Sequence, residues 1–175
     1  PGLLRDSSPR VRSMAGIACG KLKSKDALEP LTKLIVGAAN KETVLRHAGI
    51  CGLAGAVTPS ELKGLSKHDS EALRIAAVVA LRRQGAFEEL TSFLEDRSPQ
   101  VMSDAARALY DEASEETFTD HPDVLRALAN CLHPTHPAPV NVRAIAANRR
   151  LGTIEAARRV VAFLATPKLD PALRI

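Results

Sequence analysis

Cysteine and histidine side chains concentrate in one short stretch of the sequence, where they could together bind a metal ion. The stretch reads CLHPTHPAP and contains Cys131, His133 and His136, with His121 ahead of them. Thiolate sulfur and imidazole nitrogen are ligands that zinc prefers in proteins. Their spacing matches no standard zinc motif, and the prolines between them are typical of a stiff surface loop. We therefore predict a solvated loop without a metal, and keep these residues as weak candidates for a metal site.

The cysteines also limit the redox chemistry that the chain can perform. Cys19, Cys51 and Cys131 lie far apart, so the sequence contains neither a CxxC motif nor a pairing pattern typical of a disulfide framework. A cysteine without such a partner usually behaves as a small apolar residue. We expect three buried free thiols.

Adjacent arginines are the second feature with binding chemistry. The pairs are Arg82–Arg83, Arg149–Arg150 and Arg158–Arg159. They could bind phosphates, or they could stand near helix C-termini, where the helix dipole favours cations. The acidic residues between Glu112 and Asp123 would repel a phosphate backbone, and aromatic residues make up only 3% of the chain. Because base stacking needs aromatic side chains, we do not expect nucleic-acid binding.

The sequence shows no arrangement typical of an active site. It lacks a nucleophile elbow, a glycine-rich phosphate loop and a separated carboxylate pair. Ser70, Ser98 and Asp96 are more simply explained as helix caps. The chain has no Trp, and few other aromatic residues are available to line a small-ligand pocket. We predict that this chain is not an enzyme and that it has no cofactor and no small-molecule substrate.

The candidate residues described above are predicted to lie on or between helices whose inward side chains are small. The best example is DRSPQVMSDAARALY, residues 96–110, in which Ser98 precedes Pro99 at a helix start. One face of the helix is then formed by Val101, Ala105, Ala108 and Leu109. A second helix can approach an alanine-rich face closely, so this stretch predicts one half of a packed helix pair.

Variants of this unit recur along the chain roughly 28 to 41 residues apart, a period typical of solenoids. The inward positions of the other units are Val11, Ala15, Ala18, Cys19 and Leu22; Val44, Ala48 and Cys51; Ala72, Ile75, Ala76 and Val79; and Val142 and Ala146. In the last unit, a register with Val140 and Ala144 inward is the alternative. The second helices are predicted at Lys25–Val36, Pro59–Leu65, Phe87–Leu94, Asp123–Leu132 and Ile154–Leu164.

Two sequence features make the units unequal. Gly52 and Gly55 fall near the end of the second unit's first helix, and they predict the least stable helix of the set. The fourth unit contains a polar insertion at Glu112–His121 before its second helix. Partial units at both ends predict a truncated array, whose apolar ends Leu3, Leu4, Leu169 and Leu173 would face water.

The units resemble HEAT-type repeats of the short bacterial kind. The resemblance is carried by the hydrophobic-Arg steps Val11-Arg12, Leu73-Arg74 and Val142-Arg143, and by the small inward residues Ala15, Ala76, Ala105 and Ala146. Met102 and the stretch Thr43–Arg46 depart from the pattern. The resemblance implies an all-α fold, a right-handed α-solenoid of about five antiparallel helix pairs forming a single domain over residues 1–175. The family's known roles are mostly scaffolding and binding.

A narrower resemblance concerns the order of the fourth and fifth units. The segment LEDRSPQVMSDAARALYDEA is followed by a proline-broken connection and then by VRAIAANRRLG and EAARRVVAFLATPKLDPALRI. This order resembles the repeat segment of large exported proteins of planctomycete-type bacteria, between a propeller-like sugar-dehydrogenase domain and a c-type haem domain. That resemblance implies an inter-domain spacer in a periplasmic or secreted protein, although this chain contains no CxxCH haem motif.

The expected function is therefore non-catalytic. We predict a scaffold, a spacer or a protein–protein interaction module within a larger protein, whose partners are other proteins or flanking domains of the same chain. The inter-domain module of a haem-containing dehydrogenase-like protein is the alternative. The sequence has no run of about twenty apolar residues that could span a bilayer, so a membrane partner is not expected.

Overall fold

The computed structural model describes residues 2–39, 41–111, 113–167, 169 and 173. Over these residues the chain forms α-helices and short 3-10 turns, and no β-strand. The prediction of an all-α fold is confirmed. The chain divides into two compact units, residues 1–89 and 90–175. None of the helices in the described ranges is both long enough and apolar enough to cross a membrane.

The first unit contains five α-helices within the described residues. They are α1 (Pro9–Lys21), α2 (Leu28–Ala38), α3 (Thr43–Ala56), α4 (Pro59–Gly64) and α5 (Glu71–Gln84). Short 3-10 turns lie at Gly2–Arg5 and Leu65–Lys67, and the single turn α6 (Phe87–Leu90) falls at the boundary between the two units. Helix α3 packs against α1, α2 and α5, so it is the central element of this unit.

The second unit is built around the helix that follows the proline-rich loop. A 3-10 turn at Thr91–Phe93 precedes α7 (Pro99–Tyr110), α8 (Glu115–Asp120), α9 (Pro122–Asn130), α10 (Ala138–Leu151) and α11 (Ile154–Leu164). Helix α10 packs against α7, α9 and α11. The buried Asn148 on α10 donates from Nδ2 to the carbonyl of Ala129 at 2.8 Å, which ties α10 to α9.

The predicted second helices are largely present, with shifted ends. Helix α11 has both predicted ends, and α4 is short as predicted. Helix α2 starts three residues later than predicted, and Pro30 lies in its first turn, where a missing N–H costs nothing. The predicted helix Phe87–Leu94 is instead one α turn followed by a 3-10 turn.

The insertion in the second unit contains a helix that the sequence analysis missed. Helix α8 begins after Ser114, whose side chain forms a reciprocal capping box with Thr117. Phe118 is buried beside Tyr110, with their ring centroids 6.0 Å apart. Glu112, where the predicted insertion begins, lies outside the described residues.

Three helices begin with the same turn, which is the clearest structural repeat in the chain. A side chain two residues ahead accepts the backbone N–H of a serine: Asp6 for Ser8, His68 for Ser70 and Asp96 for Ser98, at 2.8, 3.0 and 2.8 Å. The hydroxyls of Ser70 and Ser98 then accept the N–H groups of Leu73 and Val101, so the predicted caps are confirmed. The side chain of Ser8 makes no such bond.

In α1 and α5, the arginine of the hydrophobic-Arg step fastens this turn. Arg12 Nη1 donates to the carbonyls of Asp6 and Ser7 at 2.9 and 3.0 Å. The buried Arg74 makes the matching bonds, from Nη1 to the carbonyls of His68 and Asp69 at 2.8 and 2.9 Å. Because both arginines satisfy carbonyls that precede their own helix, they fix the angle at which the chain enters it.

The inward face of α7 is confirmed at every predicted position. Val101, Ala105 and Leu109 are fully buried, and Ala108 is nearly so. Met102, which replaces the arginine here, is also buried. Periodicity alone therefore located the packed face of this helix.

The predicted face of α1 is wrong except at Cys19, which is buried as predicted. The buried residues of this helix are Ser13, Gly16, Cys19 and Gly20, whereas Ala18 and Leu22 are exposed and Val11 and Ala15 are half-buried. The reason is a close approach to α3. A Cβ on Gly20 would lie 2.4 Å from the carbonyl oxygen of Cys51, and one on Gly55 would lie 2.5 Å from that of Gly20.

The glycines of α3 therefore serve helix contact. A Cβ on Gly52 would lie 2.8 Å from the carbonyl oxygen of Gly16, closer than real side chains come. Glycine is the residue that permits such backbone contact, at a cost in helix propensity. That α3 is the least stable helix stays a prediction, but its glycines are explained by the packing of α1.

Predicted inward positions are also wrong on three further helices, α3, α10 and α5. On α3, Val44 is 67% exposed and its neighbour Leu45 is buried instead, whereas Ala48 is buried as predicted. On α10, Val142 is 51% exposed, and Val140 and Ala144 are fully buried, so the alternative register is the correct one. On α5, Ala72 and Ala76 are buried as predicted, but Ile75 and Val79 are only half-buried because Leu73, Ala77 and Leu81 occupy the core.

The expectation of exposed apolar ends is wrong for three of its four leucines. Leu3 is exposed, but Leu4 is buried in the 3-10 turn that packs against α1 and α2. Leu169 and Leu173 are buried with Phe163 in a small apolar cluster. Asp170, Pro171 and Arg174, which belong to the predicted partial unit at the C-terminal end, lie outside the described residues.

Candidate functional site

The cysteine and histidine residues of the second unit form a structured loop after α9. Cys131 ends α9, is buried, and donates from Sγ to the carbonyl of Ala127 at 3.3 Å. Burial, with a smaller contribution from the charge of Glu95, raises the pKa of the Cys131 thiol to about 11. Since metals bind the thiolate, burial makes this sulfur a poor ligand at neutral pH.

The two histidines of the loop bond to their own segment. His136 Nδ1 lies 2.8 Å from the carbonyl oxygen of Cys131, and His133 Nδ1 lies 2.8 Å from Thr135 Oγ1. Their rings are 5.3 Å apart, centroid to centroid. His121, the fourth candidate, lies at the junction of α8 and α9. The described residues contain no group of three or more His, Cys, Asp or Glu placed to hold a metal ion.

A residue that the sequence analysis missed holds this loop. Asn141 is fully buried on α10, its Oδ1 accepts the N–H of His133 at 3.1 Å, and its Nδ2 donates to the carbonyl of His136 at 3.0 Å. In the sequence, the one signal for this role of Asn141 was an asparagine on the helix that follows a proline-rich loop. The loop's polar groups are thus used to fasten the loop to α10.

The arginine pairs occupy different environments. Arg82–Arg83 and Arg149–Arg150 lie in the last turns of α5 and α10, where the helix dipole favours cations, as predicted. Arg158–Arg159 lies inside α11, so the expectation of a position near a helix end is wrong for this pair. Arg150 stacks over the ring of Phe118 at 4.7 Å, and Arg159 donates to Asn130 Oδ1.

An exposed apolar groove in the first unit is the strongest candidate for binding a partner. The groove has a volume of about 490 Å³ and lies where the first turns of α1 and α3 meet. Its apolar lining includes Pro9, Met14, Val44 and Leu45. Met14 is 65% exposed and Val44 is 67% exposed, whereas Leu45 is buried and forms the floor. The same helix rotation that buries Leu45 turns Val44 outward.

The rim of this groove is predominantly positive. Arg10 and Lys41 line it, and Glu42 is the acidic residue beside them. Glu42 Oε2 lies 3.9 Å from Arg12 Nη2, so part of its charge is offset within the protein. The name α1–α3 groove is used below for the surface formed by Pro9, Arg10, Met14, Lys41, Glu42, Val44 and Leu45. Its chemistry suits an apolar side chain flanked by negative charge.

A second depression of about 400 Å³ lies beside it, among α1, α2 and α3. Two of the three basic residues in its lining are already engaged, because Lys33 Nζ bonds Glu29 at 2.5 Å and Arg12 binds the carbonyls described above, and the third is Arg5. The bond to Lys33 also lowers the pKa of the exposed Glu29 carboxyl. This depression therefore offers fewer open charges than the α1–α3 groove.

Comparison with known proteins does not assign a family or a function to this chain. No protein-family model matches the chain. No curated protein matches its sequence either.

Proposed function

We propose that this chain is a non-catalytic, HEAT-like helical scaffold that binds a protein segment in the α1–α3 groove. The observation that carries the proposal is the pair of exposed apolar side chains, Met14 and Val44, on adjacent helices above a buried floor. Water-exposed apolar side chains that line a concave surface are typical of interaction sites. We infer the binding site from this pair of side chains, and the HEAT-like fold from the repeated serine turn.

The repeated turn supports the HEAT-like part of the proposal. The same serine turn starts α1, α5 and α7, and the same arginine bonds recur in α1 and α5. A recurring local structure is expected of stacked repeats, in which each unit packs on its neighbours. A right-handed solenoid over the whole chain is the arrangement that we propose on this basis.

The groove also suggests the chemistry of the partner. Arg10 and Lys41 would attract carboxylates, and Met14 offers a flexible apolar surface that adapts to different side chains. An amphipathic segment with one or two large apolar anchors and neighbouring Asp or Glu would satisfy both features. The partner that we propose is therefore an acidic amphipathic peptide segment, from another protein or from a flanking domain.

Selection from a random peptide library displayed on phage tests this proposal. We expect enrichment of peptides that combine apolar anchors with acidic residues, and at least about tenfold weaker binding of those peptides to Val44→Glu and Arg10→Glu. Val142→Glu is the control, because Val142 is 51% exposed on α10 of the other unit.

The outcomes separate the proposal from its competitors. Enrichment of basic peptides, or peptides whose binding survives Val44→Glu, would place the interaction elsewhere and overturn the proposal. Affinity that falls equally in Val142→Glu would mean that the charge change acts nonspecifically. Circular dichroism should show unchanged helicity in all three variants, because each substituted side chain is exposed.

A further inference from the structure

Two side chains, His47 from α3 and Arg83 from α5, contact the sulfur of Cys51. His47 Nε2 lies 3.5 Å from Cys51 Sγ, one helical turn away on α3. Arg83, in the last turn of α5, donates from Nη1 to the same sulfur at 3.1 Å. We propose that Cys51 is a thiol modification site, which forms mixed disulfides with small disulfide compounds.

The chemistry of these neighbours favours a reactive sulfur. The thiolate is the nucleophilic form of cysteine, and an adjacent cation stabilises it. Arg83 supplies a permanent positive charge and a hydrogen-bond donor. The imidazole of His47 supplies a proton acceptor within contact distance.

Accessibility distinguishes Cys51 from the other two cysteines. All three are free thiols, but Cys19 and Cys131 are buried, whereas Cys51 is half-buried between the exposed side chains of His47 and Arg83. The sequence analysis expected Cys51 to be buried too, and this expectation is wrong. The buried thiols of Cys19 and Cys131 therefore serve as internal controls for the reactivity of Cys51.

The surrounding structure holds the cluster in place. Gln84, next to Arg83, donates from Nε2 to the carbonyls of Ala54 and Val57 at 3.0 and 2.7 Å, which joins the end of α5 to the end of α3. The Cys51 carbonyl is also packed against Gly20 of α1. Both helices that supply the cluster are thus fixed near the sulfur.

The proposed reaction is a thiol–disulfide exchange. His47 Nε2 takes the proton of the Cys51 thiol, and the resulting thiolate attacks one sulfur of a small disulfide. A new S–S bond forms at Cys51 while the S–S bond of the reagent breaks, and the departing thiolate takes up the proton. One thiol and one disulfide give one mixed disulfide and one small thiol, without any other reactant.

The test uses bis(hydroxyethyl) disulfide, which is uncharged, so that Arg83 cannot act by attracting the reagent. Modification of each cysteine is followed at neutral pH by peptide-resolved mass spectrometry. We expect Cys51 to react at least about tenfold faster than Cys19 or Cys131, and several-fold faster than Cys51 in the urea-unfolded chain. Arg83→Leu and His47→Leu should each slow Cys51 several-fold.

Two further variants keep the result interpretable. Arg83→Lys retains the charge and should keep most of the rate, whereas Arg126→Leu removes an exposed arginine from α9 in the other unit and should leave the rate unchanged. An unchanged rate in Arg83→Leu, or a folded-state rate no higher than that of the unfolded chain, would overturn the proposal. Circular dichroism confirms that each variant remains folded.

Discussion

At the scale of single residues, the glycines of α1 and α3 set the distance between the two helices. A methyl group on Gly20 would meet the backbone of Cys51 at 2.4 Å, and backbone atoms cannot move aside as a side-chain end can. We expect Gly20→Ala to lower the free energy of unfolding by about 1–3 kcal/mol, because the helices must separate. Urea denaturation monitored by circular dichroism measures this difference.

The matched control is a glycine that has open space around it. Gly37 lies in α2, and a Cβ there would meet nothing within 4 Å. Alanine is the better helix former, so Gly37→Ala should leave stability unchanged or raise it by up to about 1 kcal/mol. If Gly20→Ala were as stable as Gly37→Ala, α1 and α3 would not be in backbone contact.

At the scale of one element, the repeated serine turn predicts which caps stabilise their helices. Ser98 Oγ accepts the N–H of Val101 at the start of α7, whereas Ser8, at the matching position before α1, makes no side-chain cap bond. We expect Ser98→Ala to cost about 0.5–2 kcal/mol of stability, because it leaves a helix N–H without its acceptor. The midpoint of thermal or urea unfolding reports this loss.

Ser8→Ala serves as the comparison, since both serines precede a proline and both have their backbone N–H bound by an aspartate. It should cost a few tenths of a kcal/mol at most, which is usual for a side chain without a specific contact. A loss in Ser8→Ala as large as that in Ser98→Ala would mean that the two turns cap their helices equally.

At the scale of the whole molecule, protection from hydrogen exchange should follow how each helix is packed. Helix α3 contacts three other helices along its length, whereas α8 is six residues long and packs mainly against α9 in the described structure, with Phe118 reaching α7 and α10. Helices with few buried contacts open locally at low cost. We expect backbone amides in Glu115–Asp120 to exchange at least about tenfold faster than those in the second half of α3.

Hydrogen-exchange mass spectrometry with peptide resolution checks this expectation. Phe118 is the buried anchor of α8, under Arg150 and beside Tyr110. Phe118→Ala should therefore increase exchange in α8 further while leaving α3 unchanged. Equal protection of α8 and α3 would show that this anchor alone holds the insertion as firmly as the core.

The sequence by itself determined that the chain is helical and where several helices begin and end. Ser98 followed by Pro99 predicted the start of α7, and the apolar spacing of α11 predicted both of its ends, because caps and helix periodicity are local properties of the chain. The buried face of α7 was predictable for the same reason. Its outward positions carry charged and polar residues that contrast with its inward alanines.

Only the tertiary structure decided the rotation of α1, α3 and α10 about their axes. Alanine, glycine and valine occupy neighbouring positions on these helices, so turning such a helix by one or two positions changes the average hydrophobicity of its buried face very little. The choice between Val140 and Val142, or between Leu45 and Val44, was made by the partner helix. The same rotations expose Val44 in the α1–α3 groove and bring Cys51 to Arg83, contacts between distant parts of the chain that no local pattern encodes.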